Sequence, residues 1–132
     1  MLPILHALQK AFGCIPEPAE PMVAEALNLS RAEVHGVVTF YHDFRREPAG
    51  RHVLKLCRAE ACQSMGTRAL ADQVRARLGI DFGETTPDGR VTLDEVYCLG
   101  LCACAPSGML DGELHGRLDA DAVEALMREA QA

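Results

Sequence analysis

The sequence predicts an α/β chain in two parts, a small N-terminal helical bundle followed by a mixed α/β domain. Three observations carry this reading. Apolar residues recur at helical spacing through the first third of the chain. The polar stretch RREPAGRH, with Pro48 and Gly50, then interrupts that pattern. Beyond it, short strand-like runs alternate with helical ones. The boundary divides the chain into a helical subdomain over residues 1–47 and a second domain over 48–132.

Taken in order, Ile4, Leu5, Leu8 and Phe12 mark a first helix, closed by Gly13 with Pro16 and Pro18. Met22, Val23, Ala26, Leu27 and Leu29 give a second apolar stripe. Ser30 followed by Glu33 is a capping box that starts a third helix, carrying Val34, Val37, Val38 and Tyr41. After the boundary, His52 to Leu56 reads as a strand ending at Cys57. Leu70, Val74 and Leu78 place a helix from about Gly66 to Leu78, with Gly79 as its C-terminal cap. Asp88 and Gly89 make a turn before VTLDEVYC, a strand predicted to deliver Cys98 at its end. Asp111-Gly112, between Met109-Leu110 and Glu113-Leu114, is a two-residue hairpin signal. Asp119 caps a last helix that buries Val123, Leu126 and Met127. This order is compatible with a thioredoxin-like layering of sheet and helices, and composition leaves other α/β folds open.

With 132 residues and 48% hydrophobic content, the chain buries a core without disulfide staples. The net charge of −6 argues against a nucleic-acid surface, and the helices around Asn28 and Ser30 read as a bundle rather than a DNA-binding motif. No run approaches the ~20 apolar residues of a membrane span. His6, Gln9 and Lys10 interrupt the apolar start, so it reads as an amphipathic helix rather than a signal peptide, and the expected location is cytoplasmic. Reduced thiols are the rule there, so the six cysteines point to metal or redox chemistry.

Four of them form two pairs, Cys57 and Cys62 in CRAEAC, then Cys98 and Cys102 in CLGLC. Two thiolates per iron is what a rhombic two-iron cluster requires. Two ferric ions, two sulfides and four thiolates leave a doubly negative centre, and one added electron makes it triply negative. Backbone N–H groups and a helix N-terminus relieve that charge, and the helix beginning near Gly66 is a candidate. Arg58 would favour the reduced state and Glu60 would oppose it. Four cysteines also make a closed zinc site, and their spacing leaves zinc in contention. Disulfide exchange is weaker, because no Cys-x-x-Cys is present. Cys104 and Cys14 read as packed thiols. His35 and His42, seven apart, fall on one face of a continuous helix; His6, His52 and His115 have no partner pattern. No phosphate loop, nucleophile elbow or His-Glu-x-x-His pattern supports a substrate or dinucleotide site within the chain.

CRAEAC, CLGLCACAP and the upstream EVHGVVTFYHDF together resemble the thioredoxin-like two-iron ferredoxin subunits of NADH-oxidising complexes, the 24 kDa subunit of NADH:quinone oxidoreductase among them. The resemblance covers nearly the whole chain. It implies a [2Fe-2S] cluster with Cys57 and Cys62 on one iron and Cys98 and Cys102 on the other, with Cys104 not carried over as a ligand. It also implies a thioredoxin-like fold, and Pro106 is then expected to follow a cis peptide. FGCIPEPAEPMVAEALNLSRAEVHGVVTFYHDFR and CLGLCAC look most like the gamma subunit of NAD-dependent molybdenum formate dehydrogenases. That implies a flavin-bearing, NAD-reactive beta subunit and a molybdenum-bearing alpha subunit as partners. NAD-linked hydrogenases are the close competitor. The aromatics Phe40, Tyr41 and Phe44 are then either partner contacts or core.

Overall fold

Capping chemistry and apolar spacing fold the beginning of the chain into three helices. The computed structural model describes residues 1–132 and divides into two units, Met1–Ala49 and Gly50–Ala132. In the first, α1 spans Leu2–Phe12, α2 Ala19–Leu27 and α3 Arg31–Phe40. The capping box is formed: the Ser30 hydroxyl accepts from the Glu33 N–H, and the Glu33 carboxylate accepts from the Ser30 N–H at 2.8 Å. Those bonds, the backbone one first, hold the Glu33 carboxyl below its ordinary range. Leu5, Ile15, Val23, Val34, Val38 and Phe44 make the core, each burial favouring folding by about 1.5–3 kcal/mol.

Glu20 is also buried, and a buried carboxylate is costly unless paired. Arg46 binds it directly, and the His35 Nδ1 lies 3.1 Å away. Two expectations are corrected in this unit, and one left open is resolved. Tyr41 has extended backbone, so α3 stops at Phe40 and His42 shares no helical face with His35. Leu29 lies beyond α2, whose end is set by Asn28 in the left-handed conformation. The aromatics split: Phe44 is core, whereas Phe40 and Tyr41 are exposed.

The second unit is a sheet with two long helices. Its strands are β1 (His52–Cys57), β2 (Glu84–Thr85), β3 (Val91–Val96), β4 (Gly108–Leu110) and β5 (Glu113–His115), in spatial order β2-β3-β1-β4-β5. β1 and β3 are parallel, in register from His52 opposite Val91 to Cys57 opposite Val96. The remaining pairs are antiparallel. A parallel pair needs a long crossover. It is supplied by a short helix α4 (Glu60–Ser64) and by α5 (Thr67–Leu78), capped at Gly79. Asp111 and Gly112 both have positive φ, 51° and 92°, the requirement of a tight two-residue hairpin.

Alternation along the strands puts Leu54, Leu56, Leu93 and Leu110 against Leu70, Val74 and Leu78 of α5 and Val123, Leu126 and Met127 of α6 (Ala120–Gln131). The Asp119 side chain caps α6, as predicted. Two expectations differ. α4 has no counterpart in the sequence pattern, and β3 ends at Val96 rather than at Cys98. The Ala105–Pro106 peptide is cis.

Candidate metal centre

Parallel pairing brings the C-terminal ends of β1 and β3 side by side, and one cysteine pair lies at or just beyond each end. In open α/β sheets this end is where ligands are held. Cys57 is the last residue of β1 and Cys62 lies within α4; each is 2% exposed. They pack with Ala105, Ala59, Ala61, Val96 and Leu99. The backbone of this pair is fixed from several directions. The Cys57 N–H donates to the Ser107 carbonyl at 3.0 Å, the Arg58 N–H to the Val96 carbonyl at 2.8 Å, and the buried Thr67 hydroxyl to the Cys57 carbonyl at 3.0 Å.

Cys98 and Cys102 are exposed, with their sulfurs 3.6 Å apart. Cys98 has φ 106°, a strained conformation for a residue with a Cβ. Gly100, at φ 78°, turns its N–H onto the Cys98 sulfur at 3.3 Å. Cys102 belongs to a 3₁₀ turn, Cys102–Cys104.

The two pairs share one electrostatic neighbourhood. Burial pushes the Cys57 thiol up, but N–H groups of Ala59, Cys98 and Leu99 and the Cys62 side chain outweigh it, leaving Cys57 below the ordinary thiol range. The Cys102 thiol is raised, first by its contact with Cys98, and also by the charges of Cys62 and Cys57. Thiolates gathered in one site repel one another, and bound cations relieve such repulsion. No three Cys, His, Asp or Glu side chains gather on one point as ligands for a single ion. The Cys62 side chain reaches that of Cys57, and the Cys102 sulfur that of Cys98, and two thiol pairs fit a two-iron cluster, which takes two thiolates per iron.

The family's sequence profile, thioredoxin-like [2Fe-2S] ferredoxin, matches residues 1–131. The chain belongs to that family. Its cofactor is accordingly a [2Fe-2S] cluster. Among its relatives, the E subunit of NADH-quinone oxidoreductase from Pseudomonas aeruginosa is 39% identical over 93% of this chain and 74% of its own length. A Rhizobium meliloti protein of the same name, the second of its kind there, is 41% identical over 100% of this chain and 79% of its own. The NADP-reducing hydrogenase subunit HndA of Solidesulfovibrio fructosivorans is 33% identical over 98% and 75%. Among solved structures, an NAD+-reducing [NiFe]-hydrogenase in the H2-reduced state matches 96% of this chain at a TM-score of 0.80 and 28% identity. This chain corresponds to only 22% of that hydrogenase chain. A thioredoxin-like [2Fe-2S] ferredoxin from Aquifex aeolicus matches 61% of this chain at a TM-score of 0.50 and 13% identity, a likeness of fold, and the fold here is thioredoxin-like.

The remaining candidate residues have contacts of their own. Cys104 packs against the chain at Gly116, where an added Cβ would stand 2.9 Å from the Cys104 Cβ, and its carbonyl accepts the Arg117 N–H at 2.6 Å. Cys14 is buried in the first unit. His52 pairs with Asp111 at 2.6 Å. The Arg58 guanidinium lies 2.5 Å from Glu95 and over the Phe82 ring, so its charge is engaged there. A helix N-terminus does face this region, but the N–H groups on the Cys57 sulfur come from Ala59 ahead of α4 and from Cys98 and Leu99, not from the start of α5 near Gly66. Sequence reasoning missed Ser107, whose hydroxyl lies 3.5 Å from the Cys62 sulfur. A single serine after Ala-Pro carries no periodic or spacing signal by which to find it.

Proposed function

We propose that the chain is a one-electron-transfer subunit of an NAD(P)-linked oxidoreductase, with Cys57, Cys62, Cys98 and Cys102 in its 48–132 domain as the cluster ligands. The observation that carries this is the delivery of two thiol pairs by the ends of two hydrogen-bonded parallel strands. When bound, the cluster takes up and releases single electrons. Cys57 and Cys62 hold their side of it in an apolar setting, while Cys98 and Cys102 hold the side open to solvent or a partner. Backbone N–H groups of Ala59, Leu99 and Gly100 stabilise negative charge on the sulfurs.

The partner in this reading is a flavin-bearing, NAD-reactive subunit, and the chain holds no substrate site of its own. Exposed Phe40 and Tyr41 give the helical part, residues 1–47, a face for such a partner. No helix is long and apolar enough to cross a membrane, which is compatible with a cytoplasmic complex. The finer assignment is to an NAD-dependent formate dehydrogenase with a molybdenum-bearing alpha subunit, supported by the resemblance of the helical segment and the CLGLCAC loop. The names of the relatives support NADH-quinone oxidoreductase or an NAD(P)-reducing hydrogenase equally.

Affinity purification of the native complex under anaerobic conditions, with cofactor analysis, tests this. Flavin with molybdenum and formate-dependent NAD reduction is the expected result. Flavin with nickel and hydrogen-dependent reduction, or with quinone reduction, keeps the electron-transfer role and replaces the complex. A chain isolated without any flavoprotein and with one zinc would overturn the proposal.

A further inference from the structure

Ser107 is 1% exposed, yet it carries a hydroxyl, and a buried hydroxyl without a partner is costly. The partner of its Oγ is the Cys62 sulfur, 3.5 Å away and itself buried. The placement is built into the fold from both sides. The Ser107 carbonyl accepts the Cys57 N–H at 3.0 Å, tying the loop before β4 to the last residue of β1, and the next residue, Gly108, pairs with Leu56. Gly108 approaches β1 so closely that an added Cβ would stand 3.0 Å from the Lys55 carbonyl oxygen, so the residue after Ser107 is packed directly on β1.

We propose that the Ser107 hydroxyl is a positioning residue that donates to the Cys62 sulfur and raises the reduction potential of the cluster. The inference rests on the ligand role proposed above for Cys62. Between a thiol and a hydroxyl either group can donate, but a sulfur that holds iron has lost its proton and only accepts. Ser107 is then the donor. Reduction adds negative charge to the centre, and a hydrogen bond to a more negative acceptor is stronger. The bond therefore stabilises the reduced state more than the oxidised one and moves the potential upward. It also holds Cys62 in place where α4, only five residues long, gives little intrinsic rigidity.

The test uses the full chain with its cluster. Ser107→Ala removes the donor and leaves the shape. Its redox equilibrium is expected to shift toward the oxidised form by about tenfold, equivalent to about 59 mV for one electron. Its Fe–S(Cys) stretching frequencies in resonance Raman are expected to change, while Ser107→Thr keeps wild-type values. An assembled Ser107→Ala cluster with unchanged potential and stretching frequencies would overturn the proposal. Cys62→Ala separates this failure from that of the ligand reading. Loss of the native spectrum in Cys62→Ala upholds the ligand role whatever Ser107 does, whereas a retained native spectrum overturns both. If Ser107→Ala assembles no cluster, wild-type protein with ¹³C-labelled serine carries the test. Of its three serines, Ser30, Ser64 and Ser107, Ser107 is expected to combine a hyperfine-shifted Cβ with a hydroxyl proton protected from exchange. A Ser107 hydroxyl exchanging at the solvent rate overturns the proposal.

Discussion

The two cysteine pairs are chemically identical and physically opposite. Cys57 and Cys62 sit at the end of β1 and inside α4, buried among alanines, Val96 and Leu99, with the Cys57 backbone pinned by Ser107 and Thr67. Cys98 and Cys102 sit in a loop and a single 3₁₀ turn, exposed, with Cys98 in strained backbone and Gly100 N–H as a donor to its sulfur. One half of the centre is thus prepared by secondary structure and core packing. The other is shaped by a few backbone dihedrals and is open to whatever exchanges electrons with it.

The largest expected effect breaks the distinction between ligands and bystanders. Cys98→Ser loses the native visible spectrum, whereas Cys104→Ser retains it, because Cys104 packs on Gly116 and sits two residues past the proposed ligand. A native spectrum in Cys98→Ser would remove Cys98 from the ligand set. Metal removal sharpens the comparison between the pairs. After chelation of the iron, an alkylating reagent is expected to modify Cys98 and Cys102 before Cys57 and Cys62, followed by mass spectrometry. Burial decides this outcome against acidity, since Cys57 has the lowered pKa and Cys102 the raised one. First labelling of Cys57 would show that thiolate character, not access, governs reactivity here.

A smaller effect concerns the loop that shapes the exposed pair. Gly100→Ala meets no steric neighbour, so its cost is the left-handed backbone alone, about 1–2 kcal/mol. Faster cluster loss is expected, while the helical content by circular dichroism stays at the wild-type level. Equal cluster lifetimes in variant and wild type would mean that the Gly100 turn does not hold Cys98. The smallest effect lies away from the centre, in the turn before β3. The Thr86 hydroxyl, and then the Arg90 N–H, hold the Asp88 carboxyl below its ordinary range. Its contribution to stability is therefore complete above the ordinary aspartate pKa and disappears as pH falls through the lowered one. Asp88→Asn is expected to lose that part of the acid dependence of Tm, with the cluster spectrum unchanged; an identical acid profile would show the turn contributes nothing.

Much of this architecture was legible in the residues. The capping box at Ser30, the Asp111-Gly112 hairpin and the Asp119 cap are local chemistry, and local chemistry is written in short motifs. The four thiols were legible as two pairs from their spacing and flanks. The physical contrast between the pairs was not, because exposure is decided by what packs over Cys57 and Cys62 from distant positions such as Ala105 and Ser107. α4 is illegible because five residues are too short to display an apolar period, and β2, at two residues, is defined only by its partner β3. The end of α3 at Phe40, which separates His42 from His35, depends on the extended backbone of Tyr41, and no proline or glycine marks it.

The most direct test of the central claim is metal and sulfide analysis of the anaerobically purified chain, joined to electron paramagnetic resonance after dithionite reduction. A brown protein with two iron and two acid-labile sulfide per chain, bleaching on reduction and giving the signal of a single unpaired electron, is the predicted result. A colourless protein with one zinc per chain and no such signal would contradict it.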